Sequence, residues 1–251
     1  MELHVLGSCA AWPEARRAAT GLLVSHDGFT AALDMGTGTL GALQAVIPHH
    51  RLDAVLVTHR HLDHCLDLYP LSVARGFHPE PLDRLPLYAP PGVFERIAAL
   101  EDAEGVEEMR NRIFDVRTFD PGRGFEVGPF RVSTRLLPHA VPNAGYRIEA
   151  DARVLAFTGD TGPSEEIEEL GRDADLLVAE ASWLEADEQL GPIHLTARQA
   201  GEHAARAKAD ALMLTHFWPG VDRDASRAQA AEAFDGDLHV AEEGMRVEVG
   251  G

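Results

Sequence analysis

The sequence predicts an α/β fold, on three observations: short β-type runs recur along the chain, helix-like segments fall between them, and helix-start signals mark where those segments begin. The β-type runs are residues 3–6, 22–25, 54–58, 154–158, 176–179 and 211–215. Pro163-Ser164-Glu165-Glu166 opens a short acidic helix. Thr196-Ala197-Arg198-Gln199 has the capping-box pattern, a hydroxyl three residues ahead of a glutamine, and starts an alanine-rich helix reaching about Lys208. Residues 120–129, with their Pro and Gly, read as a turn-rich crossover between two structural halves. The sequence has no repeat, linker or low-complexity segment. With 251 residues and a hydrophobic fraction of 45%, one domain spanning 1–251 is expected.

Charge and cysteine content narrow the function classes. A formal net charge of −19 opposes indiscriminate binding to nucleic acid or to an anionic membrane, both of which need a positive field. Lys208 is the only lysine and the arginines are scattered, so bound metal is the better source of positive charge for an anionic substrate. Cys9 and Cys65 are too few for a disulfide framework. No apolar run approaches the ~20 residues of a membrane span. The start Met1-Glu2-Leu3-His4 lacks the basic and then apolar pattern of a secretory signal, so a cytoplasmic location is expected.

The chemistry concentrates where strands end. The run 53–58 leads into His59-Arg60-His61-Leu62-Asp63-His64, three imidazoles and a carboxylate on one loop. Three further β-type segments run into a candidate ligand: Leu136-Leu137-Pro138-His139, Phe157-Thr158-Gly159-Asp160 and Leu214-Thr215-His216. Imidazole and carboxylate suit Zn²⁺ and similar ions in open catalytic sites, whereas thiolates favour closed structural ones. Two such ions can stabilise both the attacking and the leaving oxygen of a displacement.

Thr58-His59-Arg60-His61-Leu62-Asp63-His64 resembles the H-x-H-x-D-H signature of the metallo-β-lactamase superfamily, and the later stations follow in the family's order. Asp34, in Leu33-Asp34-Met35-Gly36, resembles the early aspartate that supports the metal loop. The resemblance spans roughly the whole chain and implies a four-layer αββα sandwich. It also implies two divalent metal ions, zinc first and Mn²⁺ or Fe as alternatives. His59, His61 and His139 would hold the first ion, Asp63, His64 and His216 the second, with Asp160 bridging. Members of this family often form homodimers.

Within the superfamily the chain looks like the phosphodiesterase branch, the ribonuclease Z-like and cyclic-nucleotide phosphodiesterase-like proteins. His139-Ala140-Val141-Pro142-Asn143-Ala144-Gly145-Tyr146-Arg147-Ile148 resembles the branch's H-x(5)-G-Y-R-I segment. Glu180-Ala181-Ser182-Trp183 with His194-Leu195-Thr196-Ala197 resembles its glutamate and H-x-T pair, and Leu214-Thr215-His216-Phe217-Trp218-Pro219 completes the pattern. A departing alkoxide needs a proton or a positive neighbour, which gives His194 a task as general acid, oriented by Glu180. The bland alternative makes His194 a neighbour of a helix start and Glu180 a solvated strand-end acid. Asp63, besides ligation, can take the proton of the attacking water.

The expected substrate is therefore a small anionic phosphodiester such as a cyclic nucleotide. tRNA 3′-end processing is the alternative, disfavoured by the charge and by the lack of a basic Gly/Pro-rich arm. A glyoxalase II-type thioester hydrolase shares the ligand set but does not require His194. A redox diiron centre is disfavoured, since Arg60 stands where that class usually has an acid. Cys65 reads as a small buried residue; His4, His26, His49, His50, His78, His203 and His239 lie outside the ligand pattern. Trp183, Phe217 and Trp218 are expected in the core, with stacking on a base as the competing role.

Overall fold

Strands buried on both faces must be apolar at every position, and that requirement explains the two sheets. The computed structural model describes residues 1–184 and 192–250. Its first half contains β1 (Glu2–Cys9), β2 (Ala18–Ala19), β3 (Gly21–His26), β4 (Phe29–Leu33), β5 (Ala54–Leu56), β6 (Leu85–Ala89) and β7 (Phe114–Thr118). The second half contains β8 (Gly124–Val127), β9 (Phe130–Leu137), β10 (Asn143–Ala150), β11 (Arg153–Phe157), β12 (Leu176–Glu180), β13 (Ala211–Thr215) and β14 (Asp237–Val240). The last strand, β15 (Arg246–Glu248), returns to pair with β1. One sheet has the order β15-β1-β3-β4-β5-β6-β7, with β2 beside β1, and the other β14-β13-β12-β11-β10-β9-β8.

Each sheet joins an antiparallel part to a parallel one: β15, β1, β3 and β4 pair antiparallel and β4 to β7 parallel in the first, β8 to β11 antiparallel and β11 to β14 parallel in the second. The parallel strands alternate between two apolar environments. Ala54 and Leu56 face a core shared with Leu155, Phe157, Leu176, Val178 and Met213 from the other sheet. Val55 and Val57 turn the other way, onto Leu40, Leu43, Leu68, Leu71, Phe94 and Ile97. Ala156, Leu177, Ala179, Leu212 and Leu214 do the same against Ile167, Leu170, Ala200 and Ala204. Two sheets packed face to face, each with helices on its outer face, make the four-layer αββα sandwich.

The outer layer of the first sheet comprises α1 (Thr39–Gln44), α2 (Leu62–Cys65), α3 (Leu68–Gly76), α4 (Val93–Ala98) and α5 (Ala103–Glu108). That of the second comprises α6 (Glu165–Gly171), α7 (Ala197–Ala207) and α8 (Arg223–Ala231). The capping box at Thr196 is present: its hydroxyl accepts from the Gln199 N–H at 3.2 Å and Gln199 Oε1 from the Thr196 N–H at 2.9 Å. Ser164 caps α6 by accepting from the Glu166 N–H at 3.2 Å. Residues 120–129 are not all turn, because they contain β8. Among the described residues no helix is long and apolar enough to cross a membrane.

Strand direction brings the chemistry together. β1, β4 and β5 point their carboxyl ends at one edge of the first sheet, and β9, β11, β12 and β13 do so in the second. The two edges are stitched to each other. The Tyr146 hydroxyl donates to the Val57 carbonyl at 2.7 Å, the Ala144 N–H to the Thr58 carbonyl at 2.9 Å, and the Ala10 N–H to the Phe217 carbonyl at 2.8 Å. Every residue expected to act chemically lies at this seam.

Candidate metal centre

The loop after β5 carries His59 and His61, and α2 carries Asp63 and His64. The loop is held by a close approach that only glycine allows: a Cβ on Gly36 would stand 1.9 Å from the Asp63 carbonyl oxygen. His139 follows β9, Asp160 follows β11 by way of Gly159 at φ +60°, and His216 follows β13. His216 itself has φ 54°, and Asp34 has φ 61°. Non-glycine residues in that region are strained by about 1–3 kcal/mol each and persist where the surroundings over-determine them.

Among the described residues, ring nitrogens and carboxylate oxygens converge in three groups that share Asp160: His59 with His61 and His139, Asp63 with His64 and His216, and a third in which Glu180 and His194 join His216. In the first, His59 Nε2 and His139 Nε2 lie 3.0 and 3.1 Å from His61 Nδ1, and both lie 3.6 Å from Asp160 Oδ2. In the second, His64 Nε2 and His216 Nε2 are 3.2 Å apart, each 3.1 Å from Asp160 Oδ1. Asp63 Oδ2 lies 3.7 Å from His64 Nε2 and 3.4 Å from His216 Nε2. Ligand atoms held about 2.0–2.1 Å from one tetrahedral ion lie about 3.3–3.4 Å apart, a value the spacings within both sets bracket. Asp160 is 2% exposed, and its Oδ1 makes no well-formed hydrogen bond although two imidazole nitrogens face it. A buried carboxylate oxygen left in this way is costly unless a cation satisfies it, so the donor set fits a divalent metal.

For four of the five imidazoles, the far side fixes which nitrogen faces inward. His64 Nδ1 lies 2.8 Å from Asp34 Oδ2, His139 Nδ1 3.1 Å from the Ile193 carbonyl, and His59 Nδ1 3.0 Å from the Thr58 hydroxyl. That hydroxyl in turn donates to Asp34 at 2.9 Å, and the Thr58 N–H donates to Asp34 at 2.7 Å. His216 Nδ1 lies 3.0 Å from the Ser182 hydroxyl, which donates to Glu180 Oε2 at 2.6 Å. Each arrangement leaves the inward nitrogen with a lone pair for a metal.

Electrostatics distinguishes the two sets. Burial lowers the pKa of His59, His61 and His139, favouring the neutral form that ligates. Burial also opposes charge on His64, yet the Asp160, Asp63 and Asp34 carboxylates outweigh it and raise its pKa well above the usual value. Asp63 is held well below the usual carboxylate range: burial acts against this, and His64 and His216 overcome it. Cys65 is a buried thiol pushed by burial up to about 12, with its Sγ 3.2 Å from the His61 carbonyl, and adds no ligand.

His194 and Glu180 are not solvated residues. Glu180 is fully buried and accepts from the Thr161 N–H at 2.6 Å and the Leu195 N–H at 3.1 Å. Its oxygens lie 3.0 and 3.1 Å from His194 Nδ1. Burial lowers the His194 pKa, but the adjacent Glu180 carboxylate more than compensates, and the imidazole is raised to about 9. The ring packs 5.2 Å from that of His139 and 5.6 Å from that of His216, one imidazole of each donor set.

Sequence reasoning missed Ser182, Thr58, the Ile193 carbonyl and Ala11, whose N–H donates to Asp63 Oδ2 at 2.7 Å. Backbone N–H and carbonyl groups carry no side-chain signature, and Thr58 and Ser182 stand inside the family-like motifs without a role of their own. Trp183 and Phe217 are buried as expected, while Trp218 is half-buried. His4 and His203 are buried away from the donor sets.

Comparison with known proteins bears on the family and the fold. Residues 32–217 match the family described as the Beta-lactamase superfamily domain. Protein ML1173 of Mycobacterium leprae is 35% identical over 231 residues, covering 91% of this chain and 81% of that one. Ribonuclease Z of Kineococcus radiotolerans is 33% identical, covering 92% of this chain and 89% of its own. The crystal structure of the metallo-beta-lactamase fold protein YhfI from Bacillus subtilis superposes with a TM-score of 0.88 at 26% identity, over 98% and 99% of the two chains. The chain thus belongs to the beta-lactamase superfamily, as a metallo-β-lactamase-fold hydrolase of its ribonuclease Z and phosphodiesterase branch.

Proposed function

We propose that the protein is a phosphodiesterase with two divalent ions, zinc in the first place, acting on a small nucleotide such as a cyclic nucleotide. The observation that carries the reading is the buried Glu180–His194 pair, set between His139 of one donor set and His216 of the other. Ligation does not need it. His59, His61 and His139 form one set of three donors, Asp63, His64 and His216 another, and Asp160 offers one oxygen to each. A pair of divalent cations there supplies Lewis acidity toward a phosphoryl oxygen and acidifies water.

The chain's own residues do the rest. Glu180 holds His194 Nδ1 and, by its charge, keeps a proton on the ring, so Nε2 is the atom able to donate to a departing alkoxide. Asp63 shares its Oδ2 between the second set and the Ala11 N–H. Its low pKa suits ligation first and proton acceptance second.

The test is His194→Ala, with retained metal content as its control. Turnover of a substrate with a ribose alkoxide leaving group falls about 10²–10⁴-fold, and bis-p-nitrophenyl phosphate, whose phenolate leaves without help, is affected much less. Equal, small losses on both would make His194 structural and remove the support for phosphodiester chemistry. A second reading, tRNA 3′-end processing, is favoured by the identity to a protein named ribonuclease Z. The net charge of −19 weighs against an extended polyanion. Assaying the metal-loaded protein against cyclic nucleotides, a precursor tRNA and a glutathione thioester separates these readings and the thioesterase.

A further inference from the structure

The three tryptophans of this chain meet beside the second donor set. Trp183 follows Ser182, whose hydroxyl reaches His216, and Trp218 stands two residues after His216. Trp12 follows Ala11, whose N–H holds Asp63. The Trp183 and Trp218 rings are 4.6 Å apart and tilted, and the Trp218 and Trp12 rings 5.3 Å apart and edge-on, near the favoured arrangements for aromatic pairs. Exposure rises along the row: Trp183 is 3% exposed, Trp218 half-buried, Trp12 51% exposed. Core packing accounts for the first ring and leaves the last without a role.

The backbone around Trp12 is built to place it. Ala11 has φ 56°, and the Trp12 N–H donates to the Ala10 carbonyl at 2.6 Å, a tight three-residue turn of the strained kind. That turn delivers the Ala11 N–H to Asp63 and leaves the next side chain at the surface. The strand leading into it is anchored to Phe217, by the Phe217 N–H to the Ser8 carbonyl at 2.9 Å and the Ala10 N–H to the Phe217 carbonyl at 2.8 Å. The base and ribose of a nucleotide carry no charge at neutral pH, so charged side chains do not by themselves recognise them. A π face recognises a base without charge, and stacking tolerates any base.

We infer that Trp12, supported edge-on by Trp218, is the platform on which the nucleobase of the substrate stacks while its phosphate lies at the donor sets. Where the phosphate lies rests on the phosphodiesterase reading; the platform makes the substrate a nucleotide and not a phosphodiester of any kind.

The experiment compares binding of adenosine 5′-monophosphate and ribose 5-phosphate to the metal-loaded protein by calorimetry, since the two carry the same phosphate and differ in the base. The wild type prefers the nucleotide by about five- to thirty-fold. Trp12→Ala and Trp12→Leu bring that preference to within about twofold of none, and Trp12→Phe keeps most of it, which separates loss of a π face from disturbance of the Ala11 turn. No preference in the wild type, or one that survives Trp12→Ala, overturns the inference. Thymidine p-nitrophenyl phosphate and methyl p-nitrophenyl phosphate then divide the two claims. A protein that cleaves neither but keeps the binding preference retains the platform and loses the hydrolytic reading. One that cleaves both equally well in wild type and Trp12→Ala retains the hydrolytic reading and loses the platform.

Discussion

The two donor sets share one carboxylate and are otherwise built differently. Behind His139 stands a backbone carbonyl and behind His59 the Thr58 hydroxyl, which leads on to Asp34, so no carboxylate touches either ring from behind. Behind His64 stands the buried Asp34 carboxylate, and behind His216 the Ser182 hydroxyl that leads to Glu180. The first set therefore presents imidazoles kept neutral by burial, and the second a pocket negative enough to raise His64 against burial. A carboxylate behind a ligating imidazole raises its basicity and fixes its orientation. The second set should hold its cation more tightly, and the first, with the half-buried His61, should be the more exchangeable.

The largest effect that can break this comparison is at the residue the sets share. Asp160→Ala removes an oxygen from both, so both ions are lost on dialysis and turnover falls to background, measured by elemental analysis and assay. Retention of both ions with normal turnover would end the bridging assignment. His216→Ala, in contrast, lowers occupancy of the second set alone.

Next in size is the pH dependence of the pair between the sets. His194 acts as an acid only while protonated, so turnover of alkoxide-leaving substrates falls as pH rises through its pKa, and about 10²-fold or more is lost on the alkaline side. Glu180 raises that pKa to about 9 and divalent charge nearby would lower it, so the limb is expected below 9 in the metal-loaded protein. His194→Ala flattens this limb in the pH profile; an unchanged limb would assign it elsewhere.

A smaller effect sharpens the asymmetry. Asp34→Asn keeps the shape and removes the charge behind His64, weakening the second ion about 10–100-fold in a chelator competition and leaving the first close to its original affinity. Equal weakening of both would mean the backing carboxylate does not distinguish them. Smallest is Thr58→Val, which takes a hydroxyl from between Asp34 and His59 and destabilises the fold by about 1–3 kcal/mol in denaturant unfolding.

How far the sequence reveals such a centre depends on whether a contact is made by neighbours in the chain. His59, His61, Asp63 and His64 are legible because one loop and one short helix carry them, and the parallel strands leading to Asp160 and His216 because burial on both faces leaves continuous apolar runs. β8 was hidden: it is an edge strand with only Phe125 and Val127 turned inward, and its flanking Pro and Gly read as turn. The backing of the ligands was hidden for a different reason. Ala11 reaches Asp63 across 52 residues and Ile193 reaches His139 across 54, each through a main-chain atom that any residue would supply. The Glu180–His194 pair was visible as two residues, but its burial, which turns a surface acid into a positioning group, came from the packing of β12 against the start of α7.

The central claim is that two cations sit in these two sets with Asp160 between them. Crystals of the metal-reconstituted protein, measured at the absorption edge of zinc, test it most directly through the positions of the anomalous peaks. The account predicts two peaks, one among His59, His61 and His139 and one among Asp63, His64 and His216, each beside a different oxygen of Asp160. A single peak in a fully reconstituted protein, or peaks away from these residues, would contradict it.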